Sequence, residues 1–232
     1  MINLPTILTE DTHFYKKYEK DLKHLLGTPY ISYSTMNSWM DLKYRGDFIK
    51  QKLLGIKLPS GVYADLGTYL GTAVETGEFP KDNPHGFTGQ ENVDLEKYRK
   101  PGAEYEKIII IERDGYFIVG FIDIYYENSA GEKHLEDNKT GGKDKESEYK
   151  SDDYLQTVLY NYALGGECKT GVNFFRRTGS HINPPLHLSK EQFYIPIEYN
   201  EKRVDTALKK VDKAIKEITE IKNVFDKFFA KK

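Results

Sequence analysis

The run KIIIIERDGYFIVGFIDIYYE, residues 107–127, constrains this chain more than any other stretch. β-Branched and aromatic residues fill both halves, and the halves hinge on Asp114-Gly115, a pair that tolerates the positive φ a tight hairpin turn demands. The spacing predicts strands over 107–112 and 116–127. A second turn at NSAG leads into EKHLEDNKT and a third strand over 132–139. Three consecutive strands joined by short turns form an antiparallel meander. Such a sheet must bury at least one face against other apolar elements.

Helical patterns on either side supply that cover. Residues 11–26 carry Phe14, Tyr18, Leu22, Leu25 and Leu26 at near-helical spacing and stop at Gly27. A second helix holds Met36, Trp39, Met40 and Tyr44, with Ser32 or Ser34 as its N-cap. A third is expected over 63–77, where Gly67 and Gly71 sit one turn apart and permit another backbone to approach. Residues 78–104 read as a long loop with a short helix near Leu95 and Tyr98. After the meander, a helix capped by Ser151 or Asp152 carries Leu155, Val158, Leu159 and Tyr162 and ends at Gly165-Gly166. Strands over 170–176 and 191–198 follow, joined by the Pro-rich HINPPLHLSK. From Glu201 to Phe229, Val204, Leu208, Val211, Ile215 and Ile218 mark a long amphipathic helix, packed along the domain or against a partner. This order predicts an α/β (α+β) domain with a mixed central sheet. It is expected as a single domain over 1–232: helices in 1–77, the sheet core in 105–200 and the C-terminal helix in 201–232.

Composition narrows the function. Aromatics at 13% among 232 residues argue for a packed core. A net charge of −2 excludes a uniformly basic coat for nucleic acid, yet permits a local basic groove. Cys168 is the one cysteine, so this chain builds neither a disulfide framework nor a thiolate zinc or iron–sulfur site. The N-terminus lacks the apolar core of a secretory signal, and no apolar run approaches the roughly 20 residues a bilayer requires. The expected setting is the cytoplasm, without membrane.

One residue breaks the meander's pattern. Asp123 stands among Phe121, Ile122, Ile124 and Tyr125, where an ionised carboxylate costs several kcal/mol unless compensated. Asp123 and Asp137 both lie seven positions from Ala130, so symmetric pairing about that turn sets them opposite one another. Cross-strand neighbours of this kind have Cβ atoms about 4.5–5.5 Å apart. Lys139 shares the face of Asp137, and Glu136 takes the other, because strand side chains alternate. Two acids to hold a hard cation, beside an ammonium to orient water or offset developing charge, form a hydrolytic constellation.

Four stretches also carry a resemblance: Gly120-Phe121-Ile122-Asp123, the strand end Asp137-Asn138-Lys139-Thr140-Gly141, Gln156-x-x-x-Tyr160, and YLGTAVETG with Glu75. In this order they resemble the PD-(D/E)xK nuclease superfamily, most closely its RecB-like branch. ISYSTMNSWM is similar to the Ser-rich helix entry of such domains. The resemblance runs from about residue 30 to 200. It implies a restriction-endonuclease-like core and metal-dependent hydrolysis of phosphodiesters. Glu75, Asp123, Asp137 and the Asn138 backbone carbonyl would bind Mg²⁺ or Mn²⁺, with Glu91 as an alternative to Glu75. Asp123, Asp137 and Lys139 would be catalytic, with Lys139 positioning water. Gln156 and Tyr160 would contact nucleic acid or brace the site, Arg176 or Arg177 would grip a phosphate, and GGKDKESEYK would act as a flap. The iron–sulfur cluster of some members is excluded by the cysteine count, and no P-loop is present. The implied protein is a free-standing DNA exonuclease of phage or bacterial recombination, repair or replication, working alone, as an oligomer or with a protein of those processes. A catalytically silent binding module and an RNA nuclease are the alternatives.

Overall fold

The computed structural model describes residues 6–54, 56, 58, 61–180 and 185–229. In chain order these form β1 (Thr6–Ile7), α1 (Glu19–Leu22), β2 (Pro29–Ser32), α2 (Tyr33–Met40), α3 (Leu42–Phe48), α4 (Val62–Thr76) and α5 (Leu95–Tyr98). The sheet strands β3 (Glu104–Arg113), β4 (Tyr116–Glu127) and β5 (Lys133–Gly141) follow. The remainder is α6 (Lys143–Tyr149), α7 (Gln156–Ala163), β6 (Lys169–Thr178), β7 (His187–Ile197) and α8 (Glu201–Phe229). No helix among the described residues is long and apolar enough to cross a membrane.

The chain divides into two compact units. The first comprises Met1–Pro59, Ile108–Gly120 and Asp205–Lys232. Here β1 pairs antiparallel with β2, and β2 pairs parallel with the start of β4, Tyr30 opposite Phe117 and Ser32 opposite Val119. Ser32 caps α2, its hydroxyl accepting from Thr35 N–H. Trp39 is buried, and its indole N–H donates to Glu217 Oε2 on α8 at 2.8 Å. Along α8 the innermost side chains of this unit are Ala207, Val211, Ala214 and Ile218, while Leu208 and Ile215 are only half-buried. The expected stripe holds at Val204, Val211 and Ile218, while Ala207 and Ala214 take the innermost places expected of Leu208 and Ile215, because small alanines sit deepest where the helix packs closely. The continuous helix expected over 11–26 is instead a 3-10 turn, the four-residue α1 and another 3-10 turn. Apolar spacing did not suffice there, since helices this short are held by packing rather than propensity.

The second unit, Ser60–Lys107 and Phe121–Val204, carries the meander's end and its cover. β4 and β5 pair antiparallel from Ile124–Glu136 to Glu127–Lys133. β5 and β6 run parallel, and β6 and β7 antiparallel, so the sheet is mixed as expected. Leu66, Leu70 and Val74 of α4 pack with Phe87, Ile124, Phe175 and Leu188 into this unit's core. Three sequence expectations change. GGKDKESEYK is not a loop: Lys143–Tyr149 forms α6, laced by Lys145–Glu148 and Lys150–Glu146 ion pairs that support a helix. α7 starts at Gln156 with no side-chain cap, not at Ser151, and Tyr162 faces outward. β7 begins at His187, inside the segment expected to be a Pro-rich connection; residues 181–184 of that connection lie outside the described residues.

Candidate active site

The pairing of β4 with β5, carried one residue beyond Ile124–Glu136, sets Asp123 across from Asp137. Asp123 Oδ2 accepts the Asn138 backbone N–H at 2.6 Å, which ties the first acid to the strand of the second. Asp137 is 1% exposed and fully engaged. Lys139 Nζ lies 2.6 Å from its Oδ2, Tyr154 Oη donates to the same oxygen at 2.8 Å, and Gln156 Nε2 donates to Oδ1 at 3.0 Å. Tyr160 Oη accepts from Gln156 Nε2 at 3.3 Å, one turn further along α7. Gln156 thus braces Asp137, and Tyr160 meets Gln156 rather than Asp137 itself.

Electrostatics explains why such a cluster is uncommon in a core. Burial, and then the charge of Asp137, push the Asp123 carboxyl well above the usual range; Lys139 and the Asn138 N–H only partly oppose them. Burial alone would depress the Lys139 ammonium, but Asp137 and Asp123 outweigh it and hold its pKa above the ordinary value. A half-buried and a buried carboxylate against one ammonium leave negative charge over when both are ionised, and a hard divalent cation is the compensation that oxygen donors favour. The donor set fits such an ion in kind. Among the described residues, however, no three His, Cys, Asp or Glu side chains gather closely enough to hold a metal by themselves.

A cavity of about 420 Å³ opens beside these groups. Asp123, Asn138 and Lys139 line one part, and Gly67, Thr68, Gly71, Thr72 and Glu75 of α4 line another. Glu75 is exposed and reaches this cavity, whereas Glu91 lies on an exposed 3-10 turn and does not line it. The two helix glycines do not admit a neighbouring backbone, as their spacing had suggested. A Cβ at either position would meet nothing within 4 Å, so their missing side chains are part of the cavity itself.

Glu106 on β3 also lines the cavity and was missed in the sequence. Its charge acts on Asp123, and its φ of 54° is the one positive value among described non-glycine residues. Such a conformation costs of order 1–3 kcal/mol and occurs preferentially at functional sites. A signal was available. Glu106 stands eight positions before Asp114 and Asp123 eight after Gly115, so the first hairpin turn pairs them just as the second pairs Asp123 with Asp137.

The arginines stand apart from the cavity lining. Arg176 is committed to Glu146, with Nη2 2.6 Å from Oε2, and to Glu191. These carboxylates compete with the phosphate grip expected of it, while its Nε keeps no hydrogen-bond partner. The Arg177 guanidinium lies 4.0 Å over the Tyr63 ring.

With this geometry in place, comparison with solved structures is informative. A candidate exonuclease from Eubacterium rectale superposes with a TM-score of 0.51 at 16% identity, covering 94% of this chain and 87% of that one. LHK-Exo, solved in complex with dAMP, gives 0.51 at 14% identity, covering 87% and 93%. The likeness is one of fold. In sequence, no protein family and no curated protein matches the chain.

Proposed function

We propose that this chain is a metal-dependent nuclease of the RecB-like branch of the PD-(D/E)xK superfamily, acting on DNA as an exonuclease. The observation that carries the reading is Asp123 and Lys139 lining one cavity from adjacent strands, with the buried Asp137 ion-paired to Lys139 behind them. Fold likeness to two exonuclease structures, one holding a deoxynucleotide, supports it.

Asp123, Asp137 and the Asn138 carbonyl would hold Mg²⁺ or Mn²⁺, with Glu75 and Glu106 available from the cavity wall. The ion would supply Lewis acidity toward the phosphoryl oxygen. The chain's own residues supply the rest. Asp137 fixes Lys139 by an ion pair, so the ammonium stands where it can orient the attacking water and offset charge developing on phosphorus. Tyr154 and Gln156 fix Asp137 in turn. The bare face of α4 at Gly67 and Gly71 gives the DNA backbone room to approach.

Digestion of labelled linear and circular DNA with Mg²⁺ or Mn²⁺ tests this. Wild type should cut linear DNA, and Asp123→Ala and Lys139→Ala should each lose at least about 10²-fold. Cleavage that survives both substitutions rules out the assigned site. Failure to cut any DNA or RNA with either metal leaves a binding module as the reading.

A further inference from the structure

Glu136, next to Asp137 on β5, points into a different cavity of about 510 Å³. It is 4% exposed, and its hydrogen bonds come from neutral groups: Tyr126 Oη donates to Oε1 at 2.9 Å and Asn173 Nδ2 to Oε2 at 2.8 Å. Each carboxylate oxygen thus keeps acceptor capacity unused. The Tyr98 hydroxyl, buried at the same cavity, has no hydrogen-bond partner. Burial pushes the Tyr98 and Tyr194 phenols up to about 12, so both stay neutral donors at working pH. The walls are flat and aromatic. Tyr194 packs so closely on Gly171 that a Cβ there would lie 2.3 Å from its ring, and His134 stacks on Tyr126 at 4.7 Å. Lysines 97, 100 and 169 also line the cavity; the first two stand over the Tyr98 and Tyr126 rings at 5.4 and 5.8 Å.

These features specify a ligand with two ends. The buried carboxylate requires adjacent N–H donors held in one plane, and tyrosine walls favour a flat ring. The lysines disfavour an organic cation and suit a phosphate. Among nucleobases only guanine presents two adjacent donors, N1–H and N2–H₂, on its pairing edge. Adenine, cytosine and thymine would each turn an acceptor toward Glu136. The volume falls in the range of small-ligand cavities. We propose that this cavity is a guanine-nucleotide site, separate from the candidate active site, in which Glu136 reads the base, Tyr194 flanks it, and Lys97 and Lys100 take the phosphate.

The test is titration calorimetry of the full chain in EDTA with GMP, dGMP, AMP, CMP and inorganic phosphate. GMP or dGMP should bind at least about tenfold tighter than AMP or CMP, the discrimination a bidentate base contact provides. Asp123→Ala should keep that binding. Glu136→Gln, which turns a donor toward the base, and Tyr194→Ala, at a half-exposed ring, should each weaken it about tenfold or more. The Tyr194 variant serves if Glu136→Gln melts early. Equal binding of all four nucleotides and phosphate, no binding, or binding lost in Asp123→Ala but kept in Tyr194→Ala overturns the proposal. Because the measurement is made without metal or cleavage, a failed nuclease assay leaves it standing.

Discussion

Asp123 carries a carboxyl held well above its ordinary pKa, and its protonation should be visible without any substrate. Its folded-state pKa is raised above the ordinary 3.8, so the folded protein holds a proton there that the unfolded chain releases. Stability from this group is therefore fully present below about pH 4 and is lost as pH rises through the raised folded value. In EDTA the melting temperature should fall on this upward branch, and Asp123→Asn should flatten the fall. An unchanged slope in the variant would show that the proton resides elsewhere. Asp137 is held in place by Lys139, Tyr154 and Gln156. Removing one of those braces in Tyr154→Phe or Gln156→Ala should weaken Mn²⁺ binding about 10- to 100-fold, the usual cost of losing an outer partner of a metal ligand. Metal titration followed by Mn²⁺ paramagnetic relaxation reads this directly; wild-type affinity in both variants refutes the bracing role.

At the scale of elements, α4 shows how a local defect serves a site. Gly67 and Gly71 weaken the helix, yet neither has a neighbour that a Cβ would touch. Gly67→Ala should therefore raise stability by about 0.5–1 kcal/mol, measured by urea unfolding. Gly71→Leu extends a side chain into the cavity and should depress DNA cleavage while the fold remains as stable as wild type; normal cleavage in that variant would mean DNA does not approach past α4. The same element shows where sequence reading stops. A pair of glycines one turn apart signals either close packing or empty space, and only neighbours on other elements decide between them. Arg176 makes the same point, since the adjacent pair Arg176-Arg177 was legible but Glu146 on α6 and Glu191 on β7 were not.

At the scale of the whole molecule, neither unit is one continuous stretch of chain: β4 changes unit after Gly120, and α8 joins the first unit at Asp205. Within that first unit, α8 covers the chain's one tryptophan through the Trp39–Glu217 hydrogen bond and contributes Val211, Ala214 and Ile218 to the buried set. Truncation after Val204 should shift Trp39 emission to longer wavelength, and unshifted emission would show that other residues suffice to bury it. By itself the sequence determined the meander, the facing of Asp123 and Asp137, and the separation of Glu136 from Asp137. Those follow from turn chemistry and from the two-residue period of a strand, both local rules. Only the tertiary structure decided what else surrounds these acids: the bare face of α4, the clasp of Tyr154 and Gln156, and the aromatic cavity around Glu136. Each of these depends on elements far apart in sequence meeting in space, which no local period encodes.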